Sequence, residues 1–380
     1  MADGTGGESQ LEGGADARLR VARSRIADVD RELMTLVAER MRLATDVGEA
    51  KRALGLPVRS FGTEAEVLTR YRAAAAAAGL EHEFAEAVAL LLIDGAVRRQ
   101  EELSGRAAPT QAQSVVVVGG AGKMGRWFRG FFEGQGHHVR VIDPSLPPGD
   151  PARASDEELA EADLVVVAVS LAATPRVLSQ VLAAQPRGLV LDIASLKSHL
   201  IEPLRAAAAS GLRVASLHPL FGPGVRTLGG RVMAVCDCGN PAAADEAAAL
   251  FADTAVTITR LPVEEHDRYM QYVLGLSHLV SLLFAATVTR SGMATVELNA
   301  MASTTWLKQV RTAAEVVGEN PEMYYEIQRL NRHSAELFAL VRDQLGVLES
   351  AALADDPSRF VALMTAAREF LPAEPGRVLG

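Results

Sequence analysis

A serine, a lysine and a histidine stand just past the ends of two apolar runs, and their types suit proton transfer. The first segment is Asp192-Ile193-Ala194-Ser195-Leu196-Lys197, and the second is Leu217-His218-Pro219-Leu220-Phe221-Gly222-Pro223. In an open α/β sheet, ligands gather at the C-terminal ends of strands, so Ser195, Lys197 and His218 are expected to face one crevice. A neutral imidazole there can take the proton of a hydroxyl while hydride leaves the same carbon. Taken alone, His218 is equally a capped structural histidine ahead of a proline turn. A hydride acceptor is indicated upstream, which favours the chemical role. Val115–Val118 runs into Gly119-Gly120-Ala121-Gly122-Lys123-Met124-Gly125, then an amphipathic stretch from Trp127 to Gln135. The spacing Gly120-x-Gly122-x-x-Gly125 lets a backbone turn tightly, approach a pyrophosphate and pack a helix on a strand. Lys123, Met124 and, beyond the third strand, Ser170 belong to the same cofactor side. The second strand ends in Asp143, whose carboxylate suits a ribose diol and repels a 2′-phosphate, so NAD is expected over NADP.

The elements that must hold these residues follow from the apolar pattern. Strands are expected at 115–118, 138–142, 164–169, 188–192, 213–217 and 232–236, near-continuously apolar and separated by helical stretches. That pattern indicates a parallel, doubly covered sheet, an α/β Rossmann-type NAD-binding domain over 114–262. Before it, 17–103 is an all-α domain of three helices. Ile26, Val29, Leu33, Leu36, Val37, Met41, Leu43 and Val47 recur at three- and four-residue steps along the first, which should reach about Leu54. The second runs from Thr63 or Glu64 to Ala78, and the third from about His82 to Glu102. Three such helices cannot bury their apolar faces alone, and a homodimer that interleaves them would. Small polar residues at 104–113 form a linker, and the Gly-rich acidic residues 1–16 are expected to be disordered. From 263 to 380 the pattern is helical again, including Tyr269–Arg290 and Glu322–Gln344, an all-α domain for substrate and dimer contacts.

Composition narrows the function. With 380 residues and a net charge of −9, the chain is multidomain and unsuited to nucleic acid, whose phosphates need clustered Lys and Arg. No apolar run reaches ~18–20 residues, so no membrane span is expected. The N-terminus lacks the apolar core of a secretory signal. Cys236 and Cys238, the two cysteines, alternate in one strand, where a disulfide would be strained; they supply no metal set. A cytoplasmic enzyme without a metal fits all of this.

The segments GGAGKMG (119–125), DIASLK (192–197), LHPLFGPG (217–224) and EEHDRYMQYVLGLSHL (264–279) together resemble prephenate dehydrogenase. With the helical extension, the chain resembles the bifunctional chorismate mutase–prephenate dehydrogenase (T-protein) family over about residues 18–370. The resemblance implies NAD-dependent oxidative decarboxylation of prephenate to 4-hydroxyphenylpyruvate, in tyrosine-type aromatic biosynthesis. The C4 hydroxyl gives its proton to His218 as hydride leaves C4, and the ring carboxylate departs as carbon dioxide. Ser195 takes the family's serine role at the C4 oxygen, with Lys197 close by, and His278 matches a substrate-side histidine. His266 is read as a surface residue of the Glu-His-Asp turn. One position departs from the family: the arginine that grips a substrate carboxylate, five residues before Asn320-Pro321, is Glu315 here. Arg311, one turn earlier, is one replacement; a shifted count is a second explanation. A substrate with an amino group at C4 is a third, as in the 4-amino-4-deoxyprephenate dehydrogenases of antibiotic pathways.

The mutase half is matched residue by residue. Arg23 and Arg40 correspond to carboxylate-binding arginines, Lys51 and Gln100 to donors at the breaking ether oxygen, and Glu64 to the carboxylate at the C4 hydroxyl. Rearrangement of chorismate to prephenate needs a clamp and donors rather than a nucleophile. Where the family has an acidic residue and an arginine, this chain has Ser60 and Thr63. A solvated basic stripe is the bland alternative for Arg23, Arg40 and Lys51. A 3-hydroxyacid-type dehydrogenase with an unrelated helical appendage is disfavoured by the mutase pattern. A non-catalytic NAD-binding or regulatory protein is disfavoured by the retained Ser195, Lys197 and His218.

Overall fold

A computed structural model describes residues 6–54, 61–104, 112–225, 228, 231–252, 254 and 256–371. The chain divides into two units, one built on the N-terminal helices and one on the sheet and the C-terminal helices.

In the first unit, α1 spans Gly6–Ala53, α2 Phe61–Ala78 and α3 His82–Ser104. Residues 6–16, expected to be disordered, continue α1 upstream. Once a helix is nucleated, each added residue closes another backbone hydrogen bond, and here that outweighs the glycines. Residues 1–5 lie outside the described residues, as do 55–60 and most of the expected linker. Gly79, at a φ of 69°, ends α2 where a side chain would be strained. The buried residues Val67, Ala75, Ala85, Ala89 and Ile93 make a thin core. Ile26, Val29, Leu33, Leu36, Leu43 and Val47, the stripe along α1, remain exposed.

In the second unit, seven strands form one sheet in the order β2-β1-β3-β4-β5-β6-β7. They are β1 Ser114–Val118, β2 His138–Ile142, β3 Leu164–Val167, β4 Leu189–Asp192, β5 Val214–Pro219, β6 Val232–Asp237 and β7 Thr257–Pro262. The first five strands are mutually parallel. β6 is antiparallel to β5, with His218 opposite Ala234, and β7 is parallel to β6. The wholly parallel sheet expected from sequence is therefore a mixed one. The cause lies in the connection, because a parallel partner needs a crossover, usually helical, and no described residue between β5 and β6 is in a helix. β7 was absent from the expected strands because none of its residues is buried and only Ile258 and Leu261 are aliphatic, so it lacks the apolar run of an inner strand.

Helices α4 Lys123–Gly134, α5 Asp156–Glu161, α6 Thr174–Ala183, α7 Ile201–Ala209 and α8 Pro241–Ala249 cover this sheet. Phe128, Phe132, Leu178, Val181 and Leu204 are buried with the valines of β1 and β3. The glycine turn is set by Gly119, at a φ of 84°, whose amide donates to Ile142 O at 2.7 Å. Gly122 precedes α4, and a Cβ on Gly125 would collide with the carbonyl oxygen of Gly119. This contact brings the start of α4 down onto the turn.

After β7, α9 (Val263–Met270) passes through a π-helical segment, Gln271–Leu276, into α10 (Ser277–Arg290). α11 Thr295–Ala300, α12 Thr304–Val317, α13 Pro321–Leu330, α14 Ser334–Ala352 and α15 Ser358–Phe370 follow. The helix expected through 322–344 breaks at Asn331, whose side chain accepts the His333 amide at 2.9 Å and donates to Asp267 O at 2.9 Å. Val263–Arg290 is, by length and composition only, long and apolar enough to cross a membrane, contrary to the sequence expectation. No Asp, Glu, Lys or Arg lies between Arg268 and Arg290. Gln271 and Ser281 are nonetheless buried, while Tyr272, Val273, Val280 and Leu283 are exposed. A helix that is apolar outside and polar inside suits a protein contact.

One buried ion pair braces the strand ends that carry the site. Lys197 and Asp192 are both 0% exposed, with Nζ 2.8 Å from Asp192 Oδ1. Nζ also donates to Leu217 O at 2.8 Å, so it links the ends of β4 and β5. Removing one member of a buried pair costs about 3–5 kcal/mol, because the other charge is left without a partner. Lys197→Met should therefore lower unfolding free energy by that order in urea titrations, and Asp192→Leu/Lys197→Met should recover part of the loss. Equal stability of Lys197→Met and the parent chain would contradict the brace. Gly125→Ala should lower the melting temperature and weaken NAD binding, overpacking being worth about 1–3 kcal/mol. Unchanged values of both would mean α4 does not need that close approach.

Candidate active site

His218 lies near the end of β5, buried at 4% exposure, where the strand's pairing with β4 and β6 fixes its backbone. Its Nδ1 lies 2.9 Å from His266 Nε2, and His266 Nδ1 lies 2.7 Å from Asp267 Oδ1. A carboxylate only accepts, so His266 donates from Nδ1 and its Nε2 accepts from His218 Nδ1–H. His218 Nε2 then carries the lone pair and has no partner among the described residues. Sequence reasoning placed His266 on the surface; it is instead fully buried. The reason is periodicity on α9, where Val263, His266, Asp267 and Met270 form the buried face. That spacing was the available signal, masked by the charged residues flanking it.

Asp267 gathers the site. It accepts from the Lys197 amide at 2.8 Å, from the Ser198 amide at 2.7 Å and from the Ser198 hydroxyl at 2.5 Å, in addition to His266. Burial opposes its ionisation, but the hydrogen bonds from His266, Ser198 and the Lys197 amide win and hold the carboxyl well below its usual range. Burial pushes His218 well below the ordinary histidine value, and the nearby His266 and Lys197 push it further. Burial lowers His266 as well, against the pull of Asp267. The imidazole of His218 is thus neutral at physiological pH, the form a general base needs.

Ser195 is half-buried on the turn after β4, and its hydroxyl makes no hydrogen bond among the described residues. Lys197, grouped with the catalytic residues from sequence, is withdrawn beneath the strand ends and bound to Asp192 and Leu217 O. A fully buried lysine must be paired, and here the ammonium is bonded to the chain itself. His278 is half-buried, with its ring 4.4 Å from that of Tyr324 and Nδ1 buried without a partner. Gln271 Oε1 and Gln328 Oε1 are likewise buried without partners among the described residues, while Gln328 Nε2 donates to Gly275 O at 2.9 Å. Gln271, on the π-helical segment, and Gln328, on α13, were not named from sequence. Arg311 and Glu315 form an exposed ion pair at 3.3 Å on α12 and touch none of the histidine cluster.

On the cofactor side, Asp143 follows β2 and accepts from the Ala121 amide at 3.1 Å and from Ser145. Burial works against its charge, but the hydrogen bonds from Ser145 and Ala121 hold it below the usual carboxylate range. Lys123 and Arg126, with Trp127, Pro223 and Gly224, line a cleft of about 400 Å³ between the start of α4 and the loop after His218. Met124 is half-buried on the first turn of α4, and Ser170, exposed after β3, accepts from the Ala173 and Thr174 amides through its carbonyl. A tight turn that leaves no room for Cβ atoms, a helix N-terminus and a carboxylate at the β2 end fit a dinucleotide. Cys236 and Cys238 are free and buried, and burial pushes the Cys236 thiol up to about 12.

In the helical unit, Arg40 Nη1 donates to Leu92 O at 2.8 Å, tying α1 to α3. Arg23 is exposed and Lys51 half-buried. The side chains of Glu64, Thr63 and Gln100, and all of Ser60, lie outside the described residues.

Comparison with known proteins places these parts in order. Residues 22–101 match the chorismate mutase type II family, 148–237 the nucleotide-binding domain of prephenate dehydrogenase, and 262–366 the prephenate dehydrogenase dimerization domain. The glycine turn precedes the second match, so its assignment rests on the geometry above. A T-protein of Enterobacter agglomerans is 26% identical over 349 residues, 91% of either chain. A 4-amino-4-deoxyprephenate dehydrogenase of Streptomyces pristinaespiralis is 28% identical over 67% of this chain and 90% of its own. The fold is shared with prephenate dehydrogenase from Aquifex aeolicus, solved with hydroxyphenyl propionate and NAD+, at a TM-score of 0.53 and 17% identity over 69% of this chain and 99% of that one. With both activities matched in one polypeptide, the chain belongs to the bifunctional chorismate mutase–prephenate dehydrogenase family, NAD-dependent oxidoreductases that carry a mutase domain.

Proposed function

We propose that His218 is the general base of the prephenate oxidation, with Ser195 beside it at the C4 oxygen. The observation that carries this is the unpartnered Nε2 of a buried neutral imidazole at a strand end, its other nitrogen already held by His266. His218 Nε2 takes the C4 hydroxyl proton, and the Ser195 hydroxyl, without a hydrogen-bond partner among the described residues, is available to donate to or accept from the same oxygen. NAD, when bound, supplies the hydride acceptor. The backbone of Gly120–Gly125, with Lys123 and Met124 at the helix start and Ser170 after β3, would hold the dinucleotide, and Asp143 the ribose. His278, with Gln271 and Gln328 near it, lines the substrate side, where unpartnered buried atoms favour a polar ligand over an apolar one.

A homodimer is part of this proposal. Arg23 and Arg40 are seventeen residues apart on one continuous helix, about 26 Å at 1.5 Å per residue. One small dicarboxylate cannot span that distance, so a mutase pocket using both needs Arg23 from one copy and Arg40 and Lys51 from another. Glu64 and Gln100 would complete it. The exposed stripe on α1 and the apolar outer face of α10 support the same assembly. A cytoplasmic setting fits the two free buried thiols.

A second reading concerns the ring substituent at C4. By an ungapped count from Asn320-Pro321, Glu315 takes the place of the family's carboxylate-gripping arginine, and its exposed side chain is paired with Arg311. An acidic residue there is unfavourable for a second substrate carboxylate and favourable for an ammonium group. The full chain supplied with NAD and either prephenate or 4-amino-4-deoxyprephenate separates the two. Prephenate should yield NADH and 4-hydroxyphenylpyruvate with the higher kcat/KM. A higher kcat/KM for the amino compound would transfer the assignment to it, and no NADH from either would overturn both. Asp143→Ser should reduce the ratio of NAD to NADP use by about tenfold or more, whereas an unchanged ratio would remove Asp143 from the ribose.

A further inference from the structure

We infer that His266 and Asp267 form a positioning relay behind His218, fixing its tautomer and taking up the charge created when it accepts a proton. The inference rests on the reading of His218 as the base. His218, His266 and Asp267 are joined end to end by bonds of 2.9 and 2.7 Å, all buried. His266 touches no open space, so it acts only through His218.

The proton balance is closed within the chain. The substrate proton goes to His218 Nε2, and His218 Nδ1–H passes its proton to His266 Nε2. His266, still donating from Nδ1, becomes an imidazolium held against the Asp267 carboxylate. Without the relay the cation would stay on His218, which has no carboxylate bonded to it, in a site whose burial already disfavours it. Other charged or titratable groups facing this line are Asp192, His199 and Cys236, all clustered around Lys197 and Asp267. The four donors on Asp267 keep it ionised through the cycle, which a relay terminus requires. Product release returns the proton by the same route, restoring the neutral pair.

The arrangement parallels the general logic of an orienting acid behind a catalytic histidine, where a wrong tautomer costs orders of magnitude. Here a second histidine stands between acid and base, so orientation and charge uptake can be separated by substitution. In His266→Gln, the amide oxygen can still accept from His218 Nδ1–H, but it cannot take the proton. In His266→Leu both functions are lost.

The test compares kcat, KM for prephenate and calorimetric NAD affinity for His266→Gln, His266→Leu and His218→Asn in the full chain, with thermal melts for folding. His266→Leu should lose on the order of 10²–10³-fold in kcat and His266→Gln about tenfold, with KM and NAD affinity nearly unchanged. Partial rescue by Gln over Leu is the signature that simple loss of packing would not give. If His266→Leu melts below assay temperature, an isolated kcat loss in folded His266→Gln supports the relay, and wild-type kcat there overturns it. An inactive His218→Asn beside fully active His266 variants would overturn the relay and leave His218 as the base. A fully active His218→Asn would overturn both.

Discussion

The dehydrogenase site depends on one buried carboxylate. Asp267 binds the turn after β4 through the Lys197 and Ser198 amides, fixes His266 on its own helix, and through its backbone carbonyl holds Asn331 at the α13–α14 corner. Three stretches of chain far apart in sequence therefore meet on one residue. Desolvating a carboxylate is costly, and only because every donor around it is satisfied does it stay charged. Its depressed pKa means the stabilisation is complete above the unfolded value of about 3.9 and is lost only as pH falls towards the folded value. The site thus keeps its architecture across the whole range in which a neutral His218 can act as a base.

Beneath it, the Lys197–Asp192 pair performs a different task. Lys197 spends its charge on Asp192 and its remaining hydrogen-bonding on the carbonyl just before His218. The sequence motif sets this lysine two residues from the serine and does not reveal that it is buried. Two residues apart, Ser195 is half-buried and Lys197 fully buried. Composition and spacing do not distinguish those two environments, because a buried charge is recognised only by its partner.

Much of the fold is legible in residue patterns. The glycine turn, the valine-rich strands and the helical periods of α1 to α3 follow from local chemistry, and so does the position of His218 at a strand end. What was hidden is non-local. The antiparallel β6 follows from a connection without a crossover helix, and the break at Asn331 follows from a hydrogen bond to Asp267, sixty-four residues away. His266 looked solvated because Glu264, Glu265 and Arg268 surround it, although its spacing from Val263 and Met270 marks a buried face. In the mutase half the arginines are readable, but their separation along one helix becomes meaningful only when converted to length. That length, with the unburied stripe on α1, is what the proposed homodimer rests on.

The central claim is that His218 waits as a neutral imidazole with its proton on Nδ1, held by His266. Nitrogen-15 NMR of the full chain labelled at histidine, recorded against pH, measures tautomer and charge directly. The account predicts a His218 signal of the Nδ1–H tautomer that stays neutral to well below the ordinary midpoint of about 6.5. An Nε2–H tautomer, or a His218 midpoint at or above that value, would contradict it.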